Sequence, residues 1–449
     1  MQRFVIRDAV HGDIYLSPDE GRIIDTREMQ RLRGVRQLGL VHLVFPGARH
    51  SRFEHSIGTL HMSQLLIDAV RRTAAMSPEL SRGVDEEEAR IIRAAALVHD
   101  VTHIPFGHNI EDQTGLLPRH DRAERYLSML DPARELGAEL QRQGLLEDVL
   151  GVLGAKPTQR PPFLSQMVSD SICSDLMDYL RRDAYFTGLD LRYDLRIVDY
   201  FRIDPKLERL YIDCEKKGLL REDIVSEVLR MLQARYFFSE RVYYHHAKIA
   251  AGAMIARAVE TALLSRWIEP KDLYHLTDDG MVLRLERIVG ELSGEEARRV
   301  RELLQRLGSR RLIKRVAVFP YALNREKQDD FVREFFAPSN QEGRRSWEWE
   351  REVEFEREFG RKEQVILYCP NRKMQLKEVD TLVRHPAGEG LQPLSSFKAE
   401  HPGIQDLEEG YLRLWKVYVL TTAVDAKERA FLRDCACAAL PGAQNAYRL

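Results

Sequence analysis

The stretch Ala94-Ala95-Ala96-Leu97-Val98-His99-Asp100-Val101-Thr102-His103-Ile104-Pro105-Phe106-Gly107-His108 decides how this chain is read. Ala94 to Val98 favours a closely packed, buried helix. A histidine and an aspartate side by side at the end of such a helix are costly to bury without a partner. Two arrangements meet that cost. One is a His–Asp hydrogen bond inside the core. The other is a divalent metal, and imidazole nitrogen with carboxylate oxygen suits Zn, Mn, Fe or Ni better than Ca. His103 and His108 follow, and Pro105 interrupts the helix between them.

Working outward, Glu86 to Val98 is expected as the helix that leads into His99-Asp100. Upstream, Val44-Phe45-Pro46-Gly47-Ala48 is a turn leading into a helix expected over Ser56 to Arg71. Arg49, His50, Arg52 and His55 crowd its start. Arginine forks beside a helix N-terminus suit phosphate oxygens, although a surface loop explains them as readily. Nearer the N-terminus, Val10-His11-Gly12-Asp13 reads as a turn before Ile14-Tyr15-Leu16. Ser17-Pro18-Asp19-Glu20 has the form of a capped helix start. Over Ile23 to Leu40, Arg27, Arg31, Arg33 and Arg36 alternate with apolar residues and read as a solvated helix face. Downstream, Arg119 to Arg125 is a second polar cluster, in which His120 alone would be an ordinary exposed histidine. Ser169 to Gly188 reads as a helix. It sets Asp175, Tyr179, Arg182 and Asp183 on one face at i, i+4, i+7 and i+8. Its other sides are apolar, which points this polar face into a cleft.

The bulk properties bound the classes open to the chain. Its 449 residues, 44% hydrophobic and 31% charged, can fill more than one domain's core. No apolar run reaches transmembrane length, and no signal-peptide core opens the sequence. Five cysteines without a C-x-x-C pair argue against a disulfide framework or zinc ribbon and favour the cytoplasm. A net charge of −2 makes nucleic acid a partner that nothing requires. Arg230 to Trp267 reads as a long or broken helix, followed by amphipathic helices to Leu312. Near Arg315 the texture changes. Val316 to Phe319 and Val365 to Cys369 read as strands. Glu342 to Lys362 reads as an exposed helix or mobile insertion, Leu412 to Leu420 as an edge strand, and Asp425 to Ala439 as a closing helix. The expected fold is mainly α: a helical region over 1–320 and a smaller α+β region over 321–449 that contributes to oligomerisation.

His55, His99-Asp100 and Asp175 follow the order H…HD…D. Around them stand Arg52-Phe53-Glu54-His55-Ser56-Ile57-Gly58, His99 to His108, Asp178-Tyr179-Leu180-Arg181-Arg182-Asp183 and Pro370-Asn371-Arg372. In these runs the chain resembles the deoxynucleoside triphosphate triphosphohydrolase branch of the HD-domain metal-dependent phosphohydrolases, without a SAM domain ahead of the HD core. The resemblance implies that His55, His99, Asp100 and Asp175 hold one divalent metal per subunit. Mn, Mg, Fe, Co, Ni and Zn are all compatible with that ligand set. It implies that His103 and His108 face the α-phosphate, with His108 as general acid, and that His120 and Asp121 position the attacking water. Asp121 stands where the family has a glutamate. Arg52 and Arg235 would hold phosphates. Tyr179, Asp183 and Tyr243 would read the sugar, with Gln37 and Leu38 beside the deoxyribose. The expected products from a dNTP are a deoxynucleoside and tripolyphosphate. Asp25, Gln30 and Arg33 match part of a regulatory nucleotide site, and a homo-oligomer, dimer or tetramer, is expected. Two departures bear on the substrate: Leu176 replaces a triphosphate-gripping lysine, and Tyr244 replaces a glutamine. Two alternatives stand beside this reading. One is another HD-type phosphohydrolase, such as a phosphodiesterase, 5′-nucleotidase or single-strand nuclease. The other is a non-catalytic nucleotide sensor.

Overall fold

Ser17-Pro18-Asp19-Glu20 starts a helix by the expected chemistry. The Ser17 hydroxyl accepts from the Glu20 amide, and the Glu20 carboxylate accepts from the Ser17 amide. The resulting helix α1 (Pro18–Ile24) follows an antiparallel hairpin, β1 (Phe4–Asp8) and β2 (Gly12–Leu16), whose turn uses Gly12 at φ 75°. The computed structural model describes residues 4–114, 116–337, 340–370 and 374–449, with side chains left out for 112–114. Asn371 and Arg372 of the Pro370-Asn371-Arg372 run lie outside the described residues.

In the arginine-rich stretch after α1, Arg27 and Arg33 are exposed as expected, but Arg31 and Arg36 do not belong to a solvated helix face. The helix stops at Arg31, tightens into a 3₁₀ turn at Leu32–Gly34, and runs into a bridge from Arg36 to Ser51. Arg31 donates to the carbonyls of Val101, His103 and Leu276, and Arg36 pairs with Asp278 and Asp279. These side chains clamp the loop that carries His99 to His108. Acceptors on an irregular loop leave no periodic trace in the sequence, which is why the face reads as solvated.

Helix α2 (Arg52–Met76) begins earlier than Ser56. Ser51 and Glu54 form the capping box, so Arg52 and His55 fall in its first turn. It packs against α3 (Glu86–Val98), which has the expected bounds and its own Asp85–Glu88 box, and against α5 (Ser174–Thr187). Between α3 and α5 comes the short helix α4 (Gly107–Thr114). Ile57, Leu60, Ile91, Ala95, Met177 and Leu180 are fully buried where these helices meet. A four-stranded sheet follows in the order β8-β7-β4-β3, from β3 (Phe201–Ile203), β4 (Leu210–Asp213), β7 (Leu382–Arg384) and β8 (Leu391–Pro393). The helix expected over 230–267 is broken. It consists of α6 (Glu222–Phe238), a π turn at Ser239–Tyr243, and α7 (His246–Leu264). Helices α8 (Asp278–Glu291) and α9 (Glu295–Gly308) complete a second apolar cluster with α7.

The C-terminal region corrects two expectations. Strand β9 (Lys416–Thr421) is the centre of a three-stranded antiparallel sheet, not an edge. Its neighbours are β5 (Lys314–Pro320) and β6 (Val365–Tyr368). Val417 and Val419 join one apolar cluster while Tyr418 and Leu420 join the other. Both faces are therefore covered, and the alternation seen in sequence does not mark solvent. Helix α10 (Gln341–Phe359) is not an exposed insertion either. It lies along the free edge of β6, where Glu348 and Glu352 accept the amides of Leu367 and Val365 at 2.7 and 2.9 Å. Two residues of strand match one turn of helix, so carboxylates at i and i+4 satisfy the edge. Arg257 of α7 neutralises Glu348 at 2.7 Å, and Arg344 pairs with Glu260. Helices α11 (Gly403–Leu412) and α12 (Ala426–Ala438) finish the chain. None of the five cysteines forms a disulfide. No helix among the described residues is long and apolar enough to cross a membrane.

Glu348 is 1% exposed and serves both an arginine and a strand amide. Glu348→Ala is expected to destabilise the fold by about 3–5 kcal/mol, read as a lower midpoint in urea unfolding. Glu350→Ala, two positions away, serves as the exposed control.

Candidate active site

Three helices deliver the central cluster. The first turn of α2 brings His55, the end of α3 brings His99 and Asp100, and the first turn of α5 brings Asp175. The two histidines are oriented by their second nitrogens. His55 Nδ1 donates to Asp178 Oδ2 at 2.7 Å, and His99 Nδ1 donates to the Ala96 carbonyl at 2.8 Å. Their Nε2 atoms consequently face each other at 3.2 Å. Asp175 Oδ1 lies 2.9 Å from the first and 3.7 Å from the second, and Asp100 oxygens lie 3.8 and 3.6 Å from them.

Two imidazole lone pairs and two carboxylates aimed at one point call for a cation. Burial opposes charge on His55, yet hydrogen bonds to Asp175 and Asp178 override it and raise the imidazole to about 10. His99 is raised too, against burial, by Asp100 and Asp175. A proton bound here does what a metal would do. The donor set of two nitrogens and two carboxylates fits a divalent transition metal or Mg, with room for water and substrate beside it.

Asp100 and Asp175 of the cluster line a cavity of about 850 Å³, within the ~300–1,000 Å³ usual for small-molecule sites. The structure brings Gln37, Leu38, Arg52, His103, His108, His120, Tyr179, Asp183, Arg235 and Tyr243 to this cavity with Asp100 and Asp175. Arg52 pairs with Asp100 at 2.6 Å. His103 shares Asp100 at 3.2 Å, and burial with Arg52 and His120 nearby keeps it well below the usual histidine range, hence neutral. The rings of His103 and His120 stack at 3.9 Å, with His108 edge-on at 5.3 and 4.9 Å. Gly107 makes this packing feasible, since a Cβ there would come 2.8 Å from His103 Nδ1. Asp183 accepts from His50 at 2.9 Å and from the Tyr243 hydroxyl at 2.5 Å. Arg235 lies 5.5 Å from the Tyr179 and Tyr243 ring centres and pairs with Glu378 at 3.2 Å.

Two expected site residues point elsewhere. Asp121 is exposed and pairs with Arg119, while the carboxylate on His120 is Glu111, 2.9 Å from its Nδ1. Glu111 is 3% exposed. Burial pushes its carboxyl up, but His120, His103 and Arg125 hold it below the usual range. Its sequence signal was available: it follows His108 by three residues on the same helix. Arg182 does not share the cavity face of α5; it is buried against Asp178 and Asp8. The i+7 position lies on the flank of the stripe, and a buried carboxylate captured it. Lys248, Lys377 and Tyr411 also line the cavity and were not anticipated. Leu176 lines it at 4% exposure. Asp25, Gln30 and Arg33 are absent from its walls; Gln30 accepts from Arg33 at 2.8 Å, and the Arg33 guanidinium covers the Phe53 ring.

The HD domain family matches residues 52–183, and the family described as HD associated region matches 207–430. An uncharacterized protein of Methanocaldococcus jannaschii is 28% identical over 433 residues, covering 94% of this chain and 80% of that one. Deoxynucleoside triphosphate triphosphohydrolase SAMHD1 of Danio rerio is 28% identical over 477 residues, covering 91% and 73%. The SAMHD1 homolog of Dictyostelium discoideum is 30% identical over 326 residues; the match covers 69% of this chain and 59% of that longer protein. A crystallised phosphohydrolase of Bacteroides thetaiotaomicron shares the fold with a TM-score of 0.65 at 20% identity, over 93% of this chain and 99% of the other. The first match contains the helices that converge on His55, His99, Asp100 and Asp175, and the second contains the segments that close the cavity. The chain belongs to the HD-domain phosphohydrolases that carry an HD-associated region.

Proposed function

We propose that the protein hydrolyses deoxynucleoside triphosphates to the deoxynucleoside and tripolyphosphate. The observation that carries this reading is a single cavity in which a His₂Asp₂ cluster adjoins three packed histidines, arginines and a Tyr–Asp pair. A divalent ion on His55, His99, Asp100 and Asp175 would supply an acidified water and neutralise phosphate charge. The remaining chemistry belongs to side chains. Arg52 and Arg235 hold phosphate oxygens, and Lys248 and Lys377 offer cations where position 176 has none. His120, fixed by Glu111, orients the attacking water in place of the expected His120–Asp121 pair. Water adds at the α-phosphorus, the bond to the 5′ oxygen breaks, and His108 gives a proton to that oxygen. Asp183 and Tyr243 bind the sugar. Gln37 and Leu38 crowd its 2′ side and disfavour ribonucleotides.

A nucleotide at Asp25, Gln30 and Arg33, assembly into a dimer or tetramer, and a cytoplasmic setting belong to the same reading. So does the division at residue 320. The second reading, another phosphohydrolase on the same cluster, is favoured by Glu378, which already occupies one donor of Arg235. A single-strand nuclease would bind oligonucleotides with a steep salt dependence.

Incubation with each dNTP and rNTP in Mg²⁺, Mn²⁺ or Co²⁺, with and without GTP, tests the reading by ion-exchange separation of products. Deoxynucleoside plus tripolyphosphate, lost in Asp175→Ala, is expected. No turnover of any dNTP, with turnover of monophosphates or oligonucleotides, would shift the assignment to the second reading. On the active substrate, Glu111→Gln is expected to lower kcat by roughly 10²-fold, with Asp121→Asn close to unaltered. The reverse order would restore Asp121 to the role first expected of it.

A further inference from the structure

Behind His55, away from the cavity, lies a second polar cluster that the proposed reaction does not use. Asp178 is 0% exposed and sits one turn after Asp175 on α5. Its two oxygens receive four contacts. Oδ2 accepts from His55 Nδ1 at 2.7 Å and from Arg182 Nε at 2.9 Å. Oδ1 accepts from His11 Nε2 at 2.6 Å and from Arg182 Nη2 at 3.0 Å. His11 comes from the turn of the N-terminal hairpin, and its side chain is 4% exposed. The same hairpin supplies Asp8, which pairs with Arg182 Nη1 at 2.8 Å. Asp8 also accepts the Val10 and His11 amides at 2.9 Å, which holds the turn in shape. Gly58 on α2 leaves the space required: a Cβ there would overlap the Asp178 carboxylate and the Arg182 guanidinium.

We propose that Asp178, anchored by His11 of the hairpin and by Arg182, is the positioning residue for His55 and sets how tightly the cluster holds its metal. The inference rests on the reading of His55 as a metal ligand. A carboxylate on Nδ1 fixes the proton there, leaves Nε2 as the donor atom, and makes that nitrogen a stronger base. His11 and Arg182 in turn hold Asp178 so that neither oxygen can rotate toward the cavity. The hairpin is thus joined to the metal centre through one carboxylate, although His11 lies 44 residues ahead of His55 in the chain. A purely structural role would make Asp178 matter for folding but leave the affinity of the folded protein for metal unchanged.

Metal binding therefore tests it without any substrate. The full chain is stripped with a chelator and titrated with Co²⁺. Visible absorption reports the ligand field, chelator competition gives the affinity, and circular dichroism checks the fold. Asp178→Asn keeps the shape and loses the charge; it is expected to bind Co²⁺ ~10–100-fold more weakly with an altered spectrum. His11→Phe is expected to weaken binding in the same direction, and His11→Gln, which still donates, to recover most of it. A folded Asp178→Asn protein with unaltered affinity and spectrum would overturn the inference. Should that variant not fold, equal affinities in His11→Phe and His11→Gln would overturn it. Absence of Co²⁺ uptake in the unaltered protein would overturn the metal centre, and this inference with it.

Discussion

His55 Nε2 and His99 Nε2 stand 3.2 Å apart in a buried site, with both Nδ1 atoms committed elsewhere and two carboxylates facing them. Such an arrangement is stable only around positive charge. The helices are built to reach it. A capping box at Ser51 starts α2 early enough to place His55 in its first turn. The alanine-rich end of α3 allows close approach at His99. Asp175 enters in the first turn of α5. Gly58 of α2 leaves the space between backbones that the Asp178 carboxylate and the Arg182 guanidinium fill.

The second half of the chain does two things for this centre. It walls the cavity, through Arg235, Tyr243, Lys377, Glu378 and Tyr411. It also buries its own charges to do so. Glu348 and Glu352 cap the open edge of β6, and Arg257, Arg299 and Arg344 neutralise the acids of this helix layer. Buried ion pairs of this kind add little net stability but are expensive to break. They tie α7, α9 and α10 to the sheet that carries the cavity's far wall.

That His55, His99, Asp100 and Asp175 meet was legible through the resemblance carried by the order H…HD…D, whereas the residues alone left a buried His–Asp hydrogen bond open as well. The N-cap signal at Ser17, the bounds of α3 and the closing helix after Asp425 were legible because each depends on neighbours in sequence. What escaped depends on distant partners. Arg31 is half-buried and held by carbonyls 70 and 72 residues away. The α10 carboxylates are buried by a strand edge, and β9 lost its solvent face to a second layer of helices. His120, on a turn, took Glu111 of α4, nine residues earlier, as its partner instead of its neighbour Asp121, a meeting set by tertiary folding that adjacency in sequence does not reveal.

The proposed function places one catalytic metal ion on His55, His99, Asp100 and Asp175. Crystallography of the metal-loaded protein, with anomalous diffraction collected at the metal's absorption edge, tests it most directly. One strong anomalous peak per chain is expected, about 2.0–2.2 Å from both Nε2 atoms and from oxygens of both aspartates, alongside one metal equivalent by elemental analysis. A peak located elsewhere, or none at this cluster in protein shown to be loaded, would contradict it.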